Sequence, residues 1–162
     1  MDYKKINRRN FIKHSALTSV SLAFMSSRIS ASTKKFPNLR LGVIGTGLRG
    51  QWMTNLCLLR NDVDIKAICD IDSEMINKTL NIIKKAGGKP PDVYKNGQHD
   101  FLNLVQRDDL DAVYIATPWE WHHPMAVAAM KQGKHVGVEC PAALKIKDLW
   151  DLVNVSEKEE KH

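Results

Sequence analysis

The run Gly45-Thr46-Gly47-Leu48-Arg49-Gly50 does most to limit what this chain can fold into. It directly follows the β-rich stretch Arg40-Leu41-Gly42-Val43-Ile44. It opens a segment, Gly50 to Arg60, in which Trp52, Met53, Leu56 and Leu59 recur at helical spacing. Glycine turns are common, but G-x-G-x-x-G between a strand and a helix is the context in which the pattern carries meaning. The first glycine permits a tight turn, the second lets backbone approach a pyrophosphate, and the third allows the helix to pack close to the strand. Free N–H groups at the helix start then face the phosphate charge. Asp70 stands 20 residues after Gly50, at the end of a second β-rich run, Val63 to Cys69. A carboxylate there accepts hydrogen bonds from a ribose diol and repels a 2′-phosphate, so the expected cofactor is NAD rather than NADP.

The remaining chain keeps the same alternation. Ser73 is a credible N-cap for a helix to about Ala86, which Gly87-Gly88 stops. A brief strand is expected around Val93-Tyr94 and a helix over Asp100 to Arg107. A strand over Ala112 to Ala116 follows, then a helix from Pro124 to Gln132 that Gly133 ends. His135 to Glu139 reads as the fifth strand and Asp148 to Glu160 as the last helix. Strand–helix alternation of this kind predicts an α/β fold, a doubly wound parallel sheet of Rossmann type. The pattern stops at the charged tail Glu157-Lys158-Glu159-Glu160-Lys161-His162, with nothing resembling a second, substrate-binding domain.

Two segments leave strand ends on the rim where such sheets bind ligands. Thr117-Pro118-Trp119-Glu120-Trp121-His122-His123-Pro124 reads as a loop, and its concentration of tryptophan and histidine suits a cofactor-lining role. For either tryptophan alone, capping the core is the simpler role. Glu139-Cys140-Pro141 reaches the same rim, where Glu139 is a reasonable cofactor contact and Cys140 lacks any identifiable base to make it a nucleophile. Three cysteines at irregular spacing form neither a disulfide framework nor a zinc motif, and no metal site is expected.

The charge of +6 invites a nucleic-acid reading, but residues 1–32 carry a net +5 of it, leaving residues 33–162 near neutral. No basic face remains for a phosphate backbone, so no nucleic-acid partner is expected. The same leader holds Arg8-Arg9 before Phe11-Ile12-Lys13, a short apolar stretch from Ala16 to Met25, and the small residues Ser30-Ala31-Ser32. That layout is an export signal of the twin-arginine type, with an amphipathic N-terminal helix as the alternative. The expected organisation is a signal peptide at 1–32 and an NAD-binding domain at 33–162, with delivery to the periplasm. The leader's apolar stretch is too short for an ordinary membrane span, so no stable membrane insertion is expected after its removal.

Taken together, these motifs resemble the N-terminal domain of the Gfo/Idh/MocA oxidoreductases. More narrowly, they are similar to glycoside hydrolase family 109, the NAD-dependent α-N-acetylgalactosaminidases. Gly45 to Gly50, Cys69-Asp70, Asp111 to His122 and Gly133 to Ala143 carry the likeness, with Thr117 to His122 its most specific element. By that resemblance Leu48-Arg49, Asp70, Trp119-Glu120-Trp121-His122 and Glu139-Cys140 would contact NAD. The broader family usually has a lysine between the glutamate and proline of the fifth-strand motif, where it assists proton transfer. Cys140 stands there instead, which favours the hydrolase branch.

The implied reaction is an exception to the usual pair of glycosidase carboxylates. The sugar is oxidised at C3, its C2 proton is removed, the C1 substituent leaves, water adds, and the hydride returns with no net redox. An enzyme that keeps its cofactor suits export in folded form. The catalytic base and the sugar-binding groups would lie in the absent second domain, so the chain is expected to be a fragment of a longer enzyme or a product without turnover. An NAD-linked sugar oxidoreductase and a non-catalytic NAD-binding remnant stand as alternatives. The expected ligands are NAD and a small glycoside or sugar; self-association is left open.

Overall fold

The computed structural model describes residues 37–162; the leader read at 1–32 lies outside the described residues. Five strands form one sheet: β1 (Leu39–Ile44), β2 (Val63–Cys69), β3 (Asp92–Tyr94), β4 (Ala112–Ile115) and β5 (His135–Val138). Five helices connect and follow them: α1 (Leu48–Leu58), α2 (Ser73–Lys85), α3 (Phe101–Val105), α4 (Trp119–Lys131) and α5 (Ile146–Glu159). Every strand pair is parallel and the order is β3-β2-β1-β4-β5. This is the doubly wound Rossmann arrangement expected from the alternation.

The sheet is buried on both faces, as an all-parallel sheet requires. On one face Ile44, Cys69, Val113 and Ile115 pack with Phe101 and Leu104 of α3 and with Met125, Ala126 and Ala129 of α4. On the other, Val43, Ile68 and Tyr114 pack with Cys57 of α1 and Ile76 of α2. Chain order reverses between β1 and β4, so their C-terminal ends open a crevice at that switch point.

At the opposite end of the sheet, Arg40 fastens β1 to β4. Its backbone N–H, Nε and Nη2 donate to Asp111 at 2.9, 3.0 and 2.6 Å. This guanidinium holds the Asp111 carboxyl down at about 2. The N-terminal edge is thereby pinned, and the ligand edge is left to its loops.

Element boundaries differ from the sequence reading in three instructive places. The N-cap of α2 is Asp72, not Ser73; its side chain accepts from Glu74 N and Met75 N. Aspartate and serine are comparable caps, so composition alone does not choose between them. The helix expected over Asp100 to Arg107 shortens to Phe101–Val105. The larger correction concerns the segment read as a loop. α4 starts at Trp119 and runs through Pro124 instead of beginning there.

A proline inside a helix removes one backbone hydrogen bond at a cost of roughly 3 kcal/mol, so something must hold the first turn in place. His122 does so. It is 1% exposed, with Nδ1 at 2.8 Å from the Pro141 carbonyl and Nε2 at 2.8 Å from the Thr117 carbonyl.

Candidate functional site

The crevice between the C-terminal ends of β1, β2 and β4 is a cleft of about 380 Å³. Gly45, Gly47, Asp70, Thr117, Glu120 and Trp121 line it, all of them anticipated from sequence. The glycine loop divides its work among three positions. Gly45 has φ +91°, where a Cβ would lie 2.5 Å from the Ala116 carbonyl oxygen, so both conformation and space demand glycine. At Gly50 a Cβ would fall 1.9 Å from the Gly45 carbonyl oxygen, which is the close packing expected of the third glycine. Around Gly47 nothing stands within 4 Å of the Cβ position. That opening faces the cleft, and a side chain there would occupy it.

Asp70 sits where β2 ends and is tied to the glycine loop. Its Oδ2 accepts from Thr46 N at 2.6 Å and Thr46 Oγ1 at 2.9 Å, and its Oδ1 accepts from Asp72 N at 2.9 Å. Thr46 is fully buried and its carbonyl accepts from Gln51 Nε2 at 2.8 Å. Thr46 is therefore a buttress of the loop, with its hydroxyl turned away from the cleft. A carboxylate has about four acceptor positions, so Asp70, with three in use, retains one toward a ribose hydroxyl while it holds the loop.

The far wall comes from α4 and from the loop after β3. Trp121 meets His99 and Phe101 edge-on at centroid distances of 5.7 and 6.2 Å. Asp100 ties down the loop that carries Gly97 and Gln98, accepting from Asn96 N at 2.7 Å and Asn103 Nδ2 at 2.8 Å. These two donors hold the Asp100 carboxyl below the usual range. The Cys69 thiol on the cleft floor is pushed up to about 12, mainly by burial, so it is an inert wall and no nucleophile.

The β5 side of the rim is built otherwise. Glu139 accepts from Arg49 Nε at 3.1 Å and Nη2 at 3.2 Å, and from the Tyr114 hydroxyl. Tyr114 first, and Arg49 second, hold the Glu139 carboxyl below its ordinary range. The Arg49 guanidinium also lies over the Trp52 ring at 4.9 Å. Tyr114 pairs with Gly137 across the sheet, and a Cβ at Gly137 would sit 3.3 Å from the tyrosine ring. The glycine thus makes room for the ring that reaches Glu139.

Several anticipated residues stand away from the cleft. Leu48 and Trp119 are exposed to solvent, at 85% and 59%. Gly50 is under the loop, and Arg49, Glu139 and the exposed Cys140 form the β5 rim outside the cleft lining. His122 is buried and anchors α4, which corrects the expectation that its ring faces a ligand. Sequence reading missed Ile71, Asp72, Met75 and Met125, which also line the cleft. Met125 lies one helical turn after Trp121, so a helix begun at Trp119 would have revealed it.

The residues fit a dinucleotide. Gly47 leaves an open approach to the start of α1, a carboxylate waits at the β2 end, and among the described residues no lysine or arginine lines the cleft. No group of three or more potential metal ligands is found among the described residues.

Comparison with known proteins agrees with this geometry. The model of the Gfo/Idh/MocA oxidoreductase family, NAD-binding Rossmann fold, matches residues 39–162. A protein of Saccharopolyspora erythraea named glycosyl hydrolase family 109 protein is 45% identical over 136 residues, 84% of this chain and 30% of that protein. One of the same name from Solibacter usitatus is 42% identical over 166 residues, 98% of this chain and 38% of that protein. The chain thus spans roughly a third of the length of these curated relatives. Among solved structures, scyllo-inositol dehydrogenase from Lactobacillus casei with bound NAD(H) and scyllo-inositol superposes with a TM-score of 0.64. It is 22% identical, over 76% of this chain and 34% of that one. At that identity the likeness establishes the fold.

Proposed function

The chain belongs to the Gfo/Idh/MocA oxidoreductase family through its NAD-binding Rossmann domain, and on that premise we propose that it is the cofactor-holding part of an NAD-dependent glycosidase. The activity is of the α-N-acetylgalactosaminidase kind. The observation that carries this reading is the 45% identity to a protein named for glycosyl hydrolase family 109. Cys140 at the end of the β5 motif, where the parent dehydrogenases have a lysine, supports it.

NAD, when bound, supplies a reversible hydride acceptor. The chain's own residues seat it. Gly47 leaves the opening for the pyrophosphate, with the N–H groups at the start of α1 behind it. Asp70 offers its one remaining acceptor position to the adenosine ribose while holding Thr46 in place. Trp121 and Met125 close the cleft against water from the α4 side. On the β5 rim Arg49 and Glu139 neutralise each other, so a neutral sugar would meet no net charge there. Cys140 brings no lysine-type proton shuttle to this rim, so the group that takes the C3 hydroxyl proton and later returns it would have to come from elsewhere.

Export is part of the same proposal. Arg8-Arg9 and the stretch to Ser32 would send a folded, cofactor-loaded protein to the periplasm. A folded reporter fused to residues 1–36 should leave the cytoplasm only while both arginines are intact. Retention of the native fusion inside the cell would refute this.

The function itself is tested by grafting residues 37–162 in place of the matching third of the Saccharopolyspora protein. A chromogenic α-N-acetylgalactosaminide should release its aglycone with no steady-state change in absorbance at 340 nm. Accumulating NADH on a free sugar would make it a sugar oxidoreductase instead.

A further inference from the structure

Both ends of α5 are built against the local rules for a helix. Its N-cap is Lys145, which makes no side-chain cap bond, where an oxygen-bearing side chain is preferred. Its C-cap is Glu160 at φ +53°, a left-handed position that glycine usually fills. Lys145 and Lys147 stand at the positive end of the helix dipole, and Glu157 and Glu160 at the negative end, which is unfavourable for a helix on its own. The residues of favourable sign are turned elsewhere: Asp148 lines a pocket with His123 of α4, and Lys158 pairs with Glu159 at 3.8 Å. Between these ends runs an apolar stripe open to solvent. Ile146, Leu149, Trp150 and Val153 recur at i, i+3, i+4 and i+7, and all four are exposed, Ile146 at 75% and Trp150 at 64%. With Leu144 just before the helix they present on the order of 500 Å² of apolar surface, a size at which a contiguous patch is often functional. The stripe runs into an open groove of about 610 Å³ lined by Met130, Val136, Val138 and Leu152. None of these residues lines the cofactor cleft.

We propose that α5 is an interaction surface for a second copy of this chain, the two helices packing antiparallel through their apolar stripes about a two-fold axis. A two-fold contact uses one patch twice, so the patch must be complementary to itself. Antiparallel packing meets that condition here. It sets the Lys145 and Lys147 end of one helix beside the Glu157 and Glu160 end of the other, and each dipole end beside its opposite. The charges that are misplaced in a lone helix become correct in the pair. A parallel pair would instead set lysine against lysine and glutamate against glutamate. The stripe supplies most of the roughly 800 Å² per partner that a stable dimer buries, and its charged ends supply the rim.

The test is sedimentation equilibrium of the full 162-residue chain and of its W150E, K147E, E157K and K147E/E157K variants. The native chain should form a dimer at micromolar concentration. W150E puts a charge in the middle of the stripe and should weaken association at least about 100-fold. K147E and E157K should each weaken it about tenfold, because every contact occurs twice across the axis. The double variant restores opposite charges across the pair and should return to within about threefold of the native dimer. Each single charge reversal suits a lone helix better than the native residue does, so lost assembly cannot be lost folding. A native chain that stays monomeric overturns the proposal, as does a W150E dimer as tight as the native one. A double variant no tighter than either single reversal overturns the antiparallel pairing. NAD⁺ binding plays no part in these outcomes, so the cofactor reading stands or falls separately.

Discussion

The β2 and β5 sides of the rim hold their charged groups by opposite means. On the β2 side Asp70 grips a fully buried threonine with bonds of 2.6 and 2.9 Å, and the next helix is capped from the same turn. On the β5 side Glu139 meets Arg49 at 3.1 Å, with Arg49 61% exposed. Exposed ion pairs are weak and yield to solvent, whereas buried hydrogen-bonded groups are costly to disturb. The contrast teaches that the half of the site expected to take adenosine is preformed by the fold. The half nearer β5 is an adjustable surface, set by side chains that can move.

The largest test of that contrast lies in the loop. Gly50→Ala drives a Cβ to within 1.9 Å of a carbonyl oxygen, so it should cost at least about 3 kcal/mol in denaturant unfolding and abolish NAD binding. A stable, NAD-binding variant would break the claim that this side is rigid.

His122→Ala comes next. It leaves two carbonyls facing a void, and a loss of about 2–4 kcal/mol is expected by thermal or urea unfolding. The NAD⁺ dissociation constant of the molecules that remain folded should change little. A large change there would move His122 from anchor to ligand contact.

Gly47→Ala should separate fold from binding. Nothing stands near its Cβ position, so stability should shift by less than about 1 kcal/mol while NAD⁺ affinity falls about tenfold, read by calorimetry. Unaltered affinity would mean the opening is not the approach to the pyrophosphate.

The smallest effect belongs to the β5 side. Glu139 is held below its ordinary value of 4.5 by Tyr114 and then Arg49. Its contribution to folding is therefore fully present above that value and is lost as pH falls through the depressed one. Glu139→Gln should lower the melting temperature slightly at pH 7 and flatten the stability profile below about pH 4.5, so that native and variant curves converge in acid. A marked drop at pH 7 would make the β5 side as rigid as the β2 side.

Much of this was legible before the fold. The glycine run, Asp70 and the strand ends followed from period and punctuation, because a parallel sheet leaves β-rich runs between turns. The Trp119 to His122 segment was not, since Pro124 argues for a helix start and only a tertiary anchor, His122 between two carbonyls, lets the helix begin earlier. The Thr46 side chain is hard to place from sequence for a related reason. Sequence marks it as part of a phosphate loop, but its side-chain direction depends on a carboxylate 24 residues away. Asp72 was overlooked because Ser73 beside it is an equally plausible cap.

The two outermost strands carry a consequence for how this chain behaves at high concentration. β3 has three residues, and its Asp92 is engaged by Arg107; β5 has four, and the Val136 amide already donates to the His162 carbonyl. Borders this short offer a neighbouring molecule only one or two rungs for intermolecular pairing. The domain is thereby guarded against stacking into fibrils, although its interior strands all pair in parallel.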